Sequence, residues 1–147
     1  MSAPEDGGAR APGEGAGPER ATSDPQMEAG MRVRREVLGD RHVDRALADA
    51  TPFTAPFQEF ITRFAWGGVW TRAGLDRRTR SAITLAALTA LGREGELALH
   101  VRGALRNGLS REEIAEILIH TAVYAGVPAA NAAFQVAARV LGEEDAG

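Results

Sequence analysis

Glu96 and His100 stand four residues apart in the stretch ELALHVRGALRNG, which reads as helix and so places a carboxylate and an imidazole one above the other on the same face. Such a pair can hold a histidine in one tautomer and move a proton to or from a small molecule. Glu116 and His120 repeat the spacing, with Tyr124 four residues further on. An i,i+4 pair is also ordinary helix decoration, contributing about 0.2–0.5 kcal/mol, so spacing alone leaves both pairs open to a structural reading. His120, between Ile119 and Thr121, also fits a satisfied core histidine, and His42, in a polar Arg-rich segment, reads as a solvated surface residue.

The cations are uniform. Of 17 cationic residues every one is arginine, which removes lysine Schiff-base chemistry and favours fork-like binding of carboxylates wherever an arginine faces a site. Arg77, Arg78 and Arg80 crowd the first turns of a helix capped by Asp76, where positive charge opposes the helix dipole and calls for an anionic partner. Acidic residues of the chain itself could equally supply it. With no cysteine, disulfides, thiolate metal sites and cysteine nucleophiles are excluded. Three histidines on separate segments offer no recognisable metal spacing, and no glycine-rich phosphate loop is present, so neither metal nor cofactor is expected. A net charge of −3 gives no electrostatic case for nucleic acid. No apolar run approaches the roughly 20 residues of a membrane span, and no secretory signal pattern is present. A cytoplasmic protein acting on a small molecule is the expectation.

The elements that must position these groups are helical throughout. Residues 1–30, rich in Gly, Ala, Pro and acids, are expected to form a disordered tail or linker, leaving residues 31–147 as one domain. Beyond it the pattern predicts six to seven short helices and no strand, an all-α bundle. Gly39 breaks the first helix, and Asp40 is expected to cap the second. Thr54 is expected to cap a helix whose apolar stripe includes Phe57, Phe60 and Phe64 and which ends at Gly67 and Gly68. Trp66 and Trp70 flank that break, as pocket walls or as core. Gly92, Gly108 and Gly126 punctuate the remaining helices; Ser110 opens a capping box with Glu113, and Pro128 begins the last helix.

The phrases GLDRRTRS, ELALHVRGAL and YAGVPAANAAF, within a match running from about Met31 to Leu141, resemble the carboxymuconolactone decarboxylase family. The resemblance implies an alkylhydroperoxidase D-like, oligomeric helical fold, as trimer or hexamer. In that fold's peroxidase members two cysteines precede a histidine by seven and four residues; counted back from His100 those positions are Arg93 and Glu96, so peroxidase chemistry is not expected. What is implied instead is cofactor-independent decarboxylation of 4-carboxymuconolactone to 3-oxoadipate enol-lactone in protocatechuate catabolism. The expected roles are His100 as proton donor or oxyanion partner, with Glu96 fixing its tautomer and raising its pKa. Arg80, and second Arg93, would hold the substrate's side-chain carboxylate, with Trp66, Trp70, His120 and Tyr124 as walls. Another carboxylated lactone as substrate, or a non-catalytic helical oligomer, are the alternatives.

Overall fold

The computed structural model describes residues 23–147, all of whose regular elements are helical. Seven α-helices follow one another: α1 (Pro25–Leu38), α2 (Asp40–Ala48), α3 (Ala55–Phe60), α4 (Arg77–Leu91), α5 (Glu94–Arg106), α6 (Arg111–Ala125) and α7 (Val127–Ala146). A π-helical segment, Ile61–Val69, continues α3 without a break. The all-α bundle expected from periodicity is therefore the fold.

Several ends follow the expected chemistry. Asp76 accepts from the Thr79 amide at 2.7 Å, Ser110 and Glu113 form a reciprocal capping box, and Gly92 closes α4 in the left-handed conformation. Three ends differ. The first helix begins at Pro25, inside the stretch expected to be a tail, because Asp24 accepts from the Gln26 and Met27 amides and Pro25 sits where its missing N–H costs nothing. Residues 1–22 of that expected tail lie outside the described residues. At α2 the cap position belongs to Gly39, and Asp40 pairs with Arg35 instead. Thr54 gives no side-chain cap to α3, its hydroxyl being engaged with Thr51. Nor do Gly67 and Gly68 stop the helix: wide i→i+5 turns carry it through them, with the Trp70 amide donating to the Ala65 carbonyl at 3.0 Å.

The packing explains why glycines are there. A Cβ on Gly30 would lie 2.1 Å from the Thr62 carbonyl oxygen and 2.8 Å from the Gly67 nitrogen, and one on Gly67 would lie 2.4 Å from the Gln26 oxygen. The backbones of α1 and the π segment thus touch directly. Gly30→Ala is expected to lower stability by about 1–3 kcal/mol or more, read as a fall in the urea midpoint; an unchanged midpoint would refute the contact. Two apolar clusters result. Leu85, Leu97, Val101, Ile114, Leu118 and Val140 centre the α4–α7 core, while Val33, Val37, Leu38, Val43 and Trp66 join the N-terminal helices to the π segment.

Candidate active site

Against the N-terminal cluster lies a cavity of about 540 Å³. Helix α1 contributes Arg34 and Leu38, α2 His42 and Ala46, α3 and the π segment Gln58, Ile61 and Trp66 among others, and α5 Glu96, Leu99 and His100; Trp70 and Thr84 add to the wall.

Arg34 occupies the apolar stripe of α1, with Gly30, Val33, Val37 and Leu38 at its helical neighbours, and is only 2% exposed. Its guanidinium donates to Gln58 Oε1 at 2.7 Å and Thr62 Oγ1 at 3.0 Å, both neutral, and its Nε has no partner. Burial, and secondarily the charge of Arg35, lowers its pKa, yet an arginine keeps its charge at neutral pH. A buried cation without a carboxylate is costly by several kcal/mol, so this one is disposed to receive an anion.

His100 forms one face of an aromatic wall. Its ring stacks nearly parallel to Trp66 (centroids 6.2 Å, 10°) and Trp70 (6.3 Å, 19°), which stack on each other at 5.0 Å. Its Nδ1 is sealed from solvent without a hydrogen-bond partner. Burial against the indoles, then the nearby charge of His42, pushes its pKa down to about 4. The expectation that Glu96 raises this pKa is corrected: no hydrogen bond joins the two side chains, and Glu96 acts on His42. There it opposes the lowering produced first by burial and then by Arg34, with Arg45 and Arg106 adding to it.

A neutral buried imidazole has a consequence for acid stability. The unfolded chain binds a proton near pH 6.5, whereas folded His100 does so only near pH 4, so stability present above pH 6.5 is lost as pH falls toward 4. The gap corresponds to about 3 kcal/mol at most, from 1.36 kcal/mol per pKa unit. Denaturation midpoints between pH 7.5 and 4.5 should therefore fall less steeply for His100→Asn than for the natural chain; identical slopes would exclude a neutral, buried His100.

The other sequence candidates sit elsewhere. Arg80 lines a smaller niche with Val69 and Ile83 that borders the cavity through Trp70 and Thr84, and it donates to the Arg72 carbonyl at 3.0 Å. Arg93 is exposed at the head of α5 and does not line the cavity. Arg77 and Arg78 are paired with Glu36 and Glu113, the acidic partners that the cluster required. His120 and Tyr124 pack together at 5.2 Å on α6, with Tyr124 80% exposed; His120 borders a separate depression with Ala82 and Glu116. Arg34, His42 and Gln58 were missed. The available signal was a charged residue within the apolar i, i+3, i+4, i+7 stripe of the first helix. Among the described residues no three His, Asp or Glu side chains converge as a metal site would need. No described helix is long and apolar enough to cross a membrane.

Helices enclosing a pocket with a buried guanidinium, two imidazoles and a carboxylate define a class of all-α protein equipped to hold a small anion and handle a proton. Residues 55–139 match the model of the carboxymuconolactone decarboxylase family, and the chain belongs to that family. It is 49% identical over 116 residues, 79% of this chain and 87% of the relative, to a 4-carboxymuconolactone decarboxylase of Acinetobacter baylyi. It is 46% identical over 117 residues, 80% of this chain and 82% of the relative, to the nitrosuccinic acid decarboxylase npaB of Metarhizium robertsii. A 4-carboxymuconolactone decarboxylase of Pseudomonas putida is 60% identical over 42 residues, 29% of this chain and 88% of that sequence. A 116-residue match within 147 residues necessarily spans positions 34 and 42, so the first relative aligns with the cavity's N-terminal half as well.

Proposed function

We propose that this chain decarboxylates 4-carboxymuconolactone to 3-oxoadipate enol-lactone without a cofactor, as a cytoplasmic enzyme of aromatic catabolism. The observation that carries the reading is the cavity holding buried Arg34 beside His42 and His100, in a chain nearly half identical to a 4-carboxymuconolactone decarboxylase over most of both lengths.

The substrate carries its own electron sink. Its departing carboxylate sits on the ring carbon γ to the lactone carbonyl and is conjugated with that carbonyl through the ring double bond. When the carbon–carboxylate bond breaks, CO2 leaves and the electron pair spreads into a furan-like dienolate. A proton added at the carbon α to the carbonyl gives the enol-lactone. Arg34 holds the carboxylate that stays, through the guanidinium edge that neutral Gln58 and Thr62 leave without charge compensation. Trp66 and Trp70 keep water from the leaving carboxylate. His100 and His42 handle the proton. In the free protein His100 is neutral; a bound dianion favours its protonated form, as an opposite charge within a few ångströms does, so the imidazole is charged when a proton must be delivered.

Self-association belongs to the same reading. Phe57, Phe60 and Phe64 on one side, and Val123, Tyr124 and Val127 on another, are more than half exposed, and such apolar surface favours a homo-oligomer, as trimer or hexamer. His120, Tyr124 and Arg80 are then candidates for contact with a neighbouring protomer's cavity.

The test is direct: purified protein mixed with 4-carboxymuconolactone, followed by loss of substrate absorbance and release of CO2. A second reading, favoured by the 46% identity to the nitrosuccinic acid decarboxylase, is another small dicarboxylic acid whose leaving carboxylate is adjacent to an electron-withdrawing group. Parallel assays with the lactone and nitrosuccinate decide between them by kcat/KM.

A further inference from the structure

Behind His42 lies a second hollow of about 390 Å³, which shares Leu38, His42 and Leu99 with the cavity already described. Two arginine pairs line it, Arg41 and Arg45 of α2 and Arg102 and Arg106 of α5, each at i,i+4 spacing, where like charges repel. Among the described residues Glu144 is the single carboxylate residue on its lining, and with Glu143 it pairs with Arg102. Among the described residues Arg41, Arg45 and Arg106 have no carboxylate within ion-pair distance, in a chain whose net charge is −3. Arg106 is also held in place. Its Nη1 donates to the Val37 carbonyl at 3.2 Å, and its guanidinium lies over Gly39, where a Cβ would come within 2.8 Å of Nη2. Gly39 takes a φ of +87°, so both its conformation and this contact call for glycine.

We propose that this arginine groove is a second anion-binding site, one that takes a carboxylate of a small dicarboxylate before the molecule passes His42 into the cavity. The identity of the dicarboxylate rests on the proposed decarboxylase reading; anion binding by the groove does not. The guanidiniums match carboxylate geometry and stand where converging positive charge concentrates an anionic substrate at the mouth of its site. His42 is the wall between the compartments. Arg34 and Glu96 act on its protonation from the cavity side, and Arg45 and Arg106 from the groove side. An anion in the groove offsets the latter two and returns His42 toward an ordinary imidazole pKa.

Adipate, an unreactive six-carbon dicarboxylate, is the probe. Calorimetry at low ionic strength should show that Arg41→Gln/Arg45→Gln, which changes two exposed side chains, binds one adipate fewer per chain than the natural protein. In the same variant the adipate-induced rise in the His42 NMR titration should fall at least threefold. Equal stoichiometry together with an unchanged His42 response would overturn the proposal. A failure of the decarboxylase reading would appear instead as absence of lactone turnover and would leave the loss of one adipate site intact.

Discussion

His100→Gln is expected to lower kcat for 4-carboxymuconolactone by at least about 10²-fold, the usual scale of lost acid–base help, while leaving KM within a few-fold. Glutamine can still donate a hydrogen bond but cannot carry a proton between solvent and the α carbon. The stacked wall of Trp66, Trp70 and His100 makes the comparison informative, because the planar amide can occupy much of the space of the imidazole. The pH profile sharpens it. Because free His100 protonates only near pH 4, its charged form at neutral pH depends on the bound dianion, so binding takes up a proton. Calorimetry in buffers of different ionisation enthalpy should detect that uptake in the natural chain and its reduction in the variant. Near-normal kcat in His100→Gln would remove His100 from the reaction.

Arg34→Gln is expected to raise KM by about 10- to 100-fold with a smaller effect on kcat, since a hydrogen bond to a charged group contributes about 1.5–3 kcal/mol. Arg34→Lys should not rescue it fully: an ammonium cannot reproduce the planar fork that reaches Gln58, Thr62 and an incoming carboxylate together. Arg34→Gln, unlike Arg34→Lys, relieves a buried charge from the free protein, so its apo form should unfold at equal or higher denaturant concentration while binding substrate poorly. A KM unchanged in both variants would show that the substrate carboxylate is held elsewhere, with Arg80 in its adjoining niche the next cation to test.

Most of the fold could be read from local signals. Gly92, the Ser110–Glu113 box and Pro128 act within one helical turn, and their consequences are local. The π segment could not be read in this way: Gly67 and Gly68 look like a stop, and only contact with α1 keeps the helix running through them. The site divides similarly. Glu96 and His100 were visible because they share a turn, but Arg34 and His42 reach that turn only through the elbow at Gly39 and the packing of α1 against the π segment. Among the described residues, the lone guanidinium that is buried looks, in composition, like every other. Burial also reversed the expected sign of the His100 pKa, since desolvation lowers it, the charge of His42 adds to the lowering, and no hydrogen bond joins Glu96 to the ring.

The direct contact of Gly30 with Thr62 and Gly67 joins two stretches of unequal standing. The segment matched by the family model, 55–139, carries Trp66, Trp70, Glu96 and His100; Arg34 and His42 come from the helices before it. The cavity is therefore shared between the matched segment and the helices before it, which meet at a glycine seam. If Arg34 holds the substrate's carboxylate as proposed, the choice of acid depends on a helix that lies outside the segment matched by the family model.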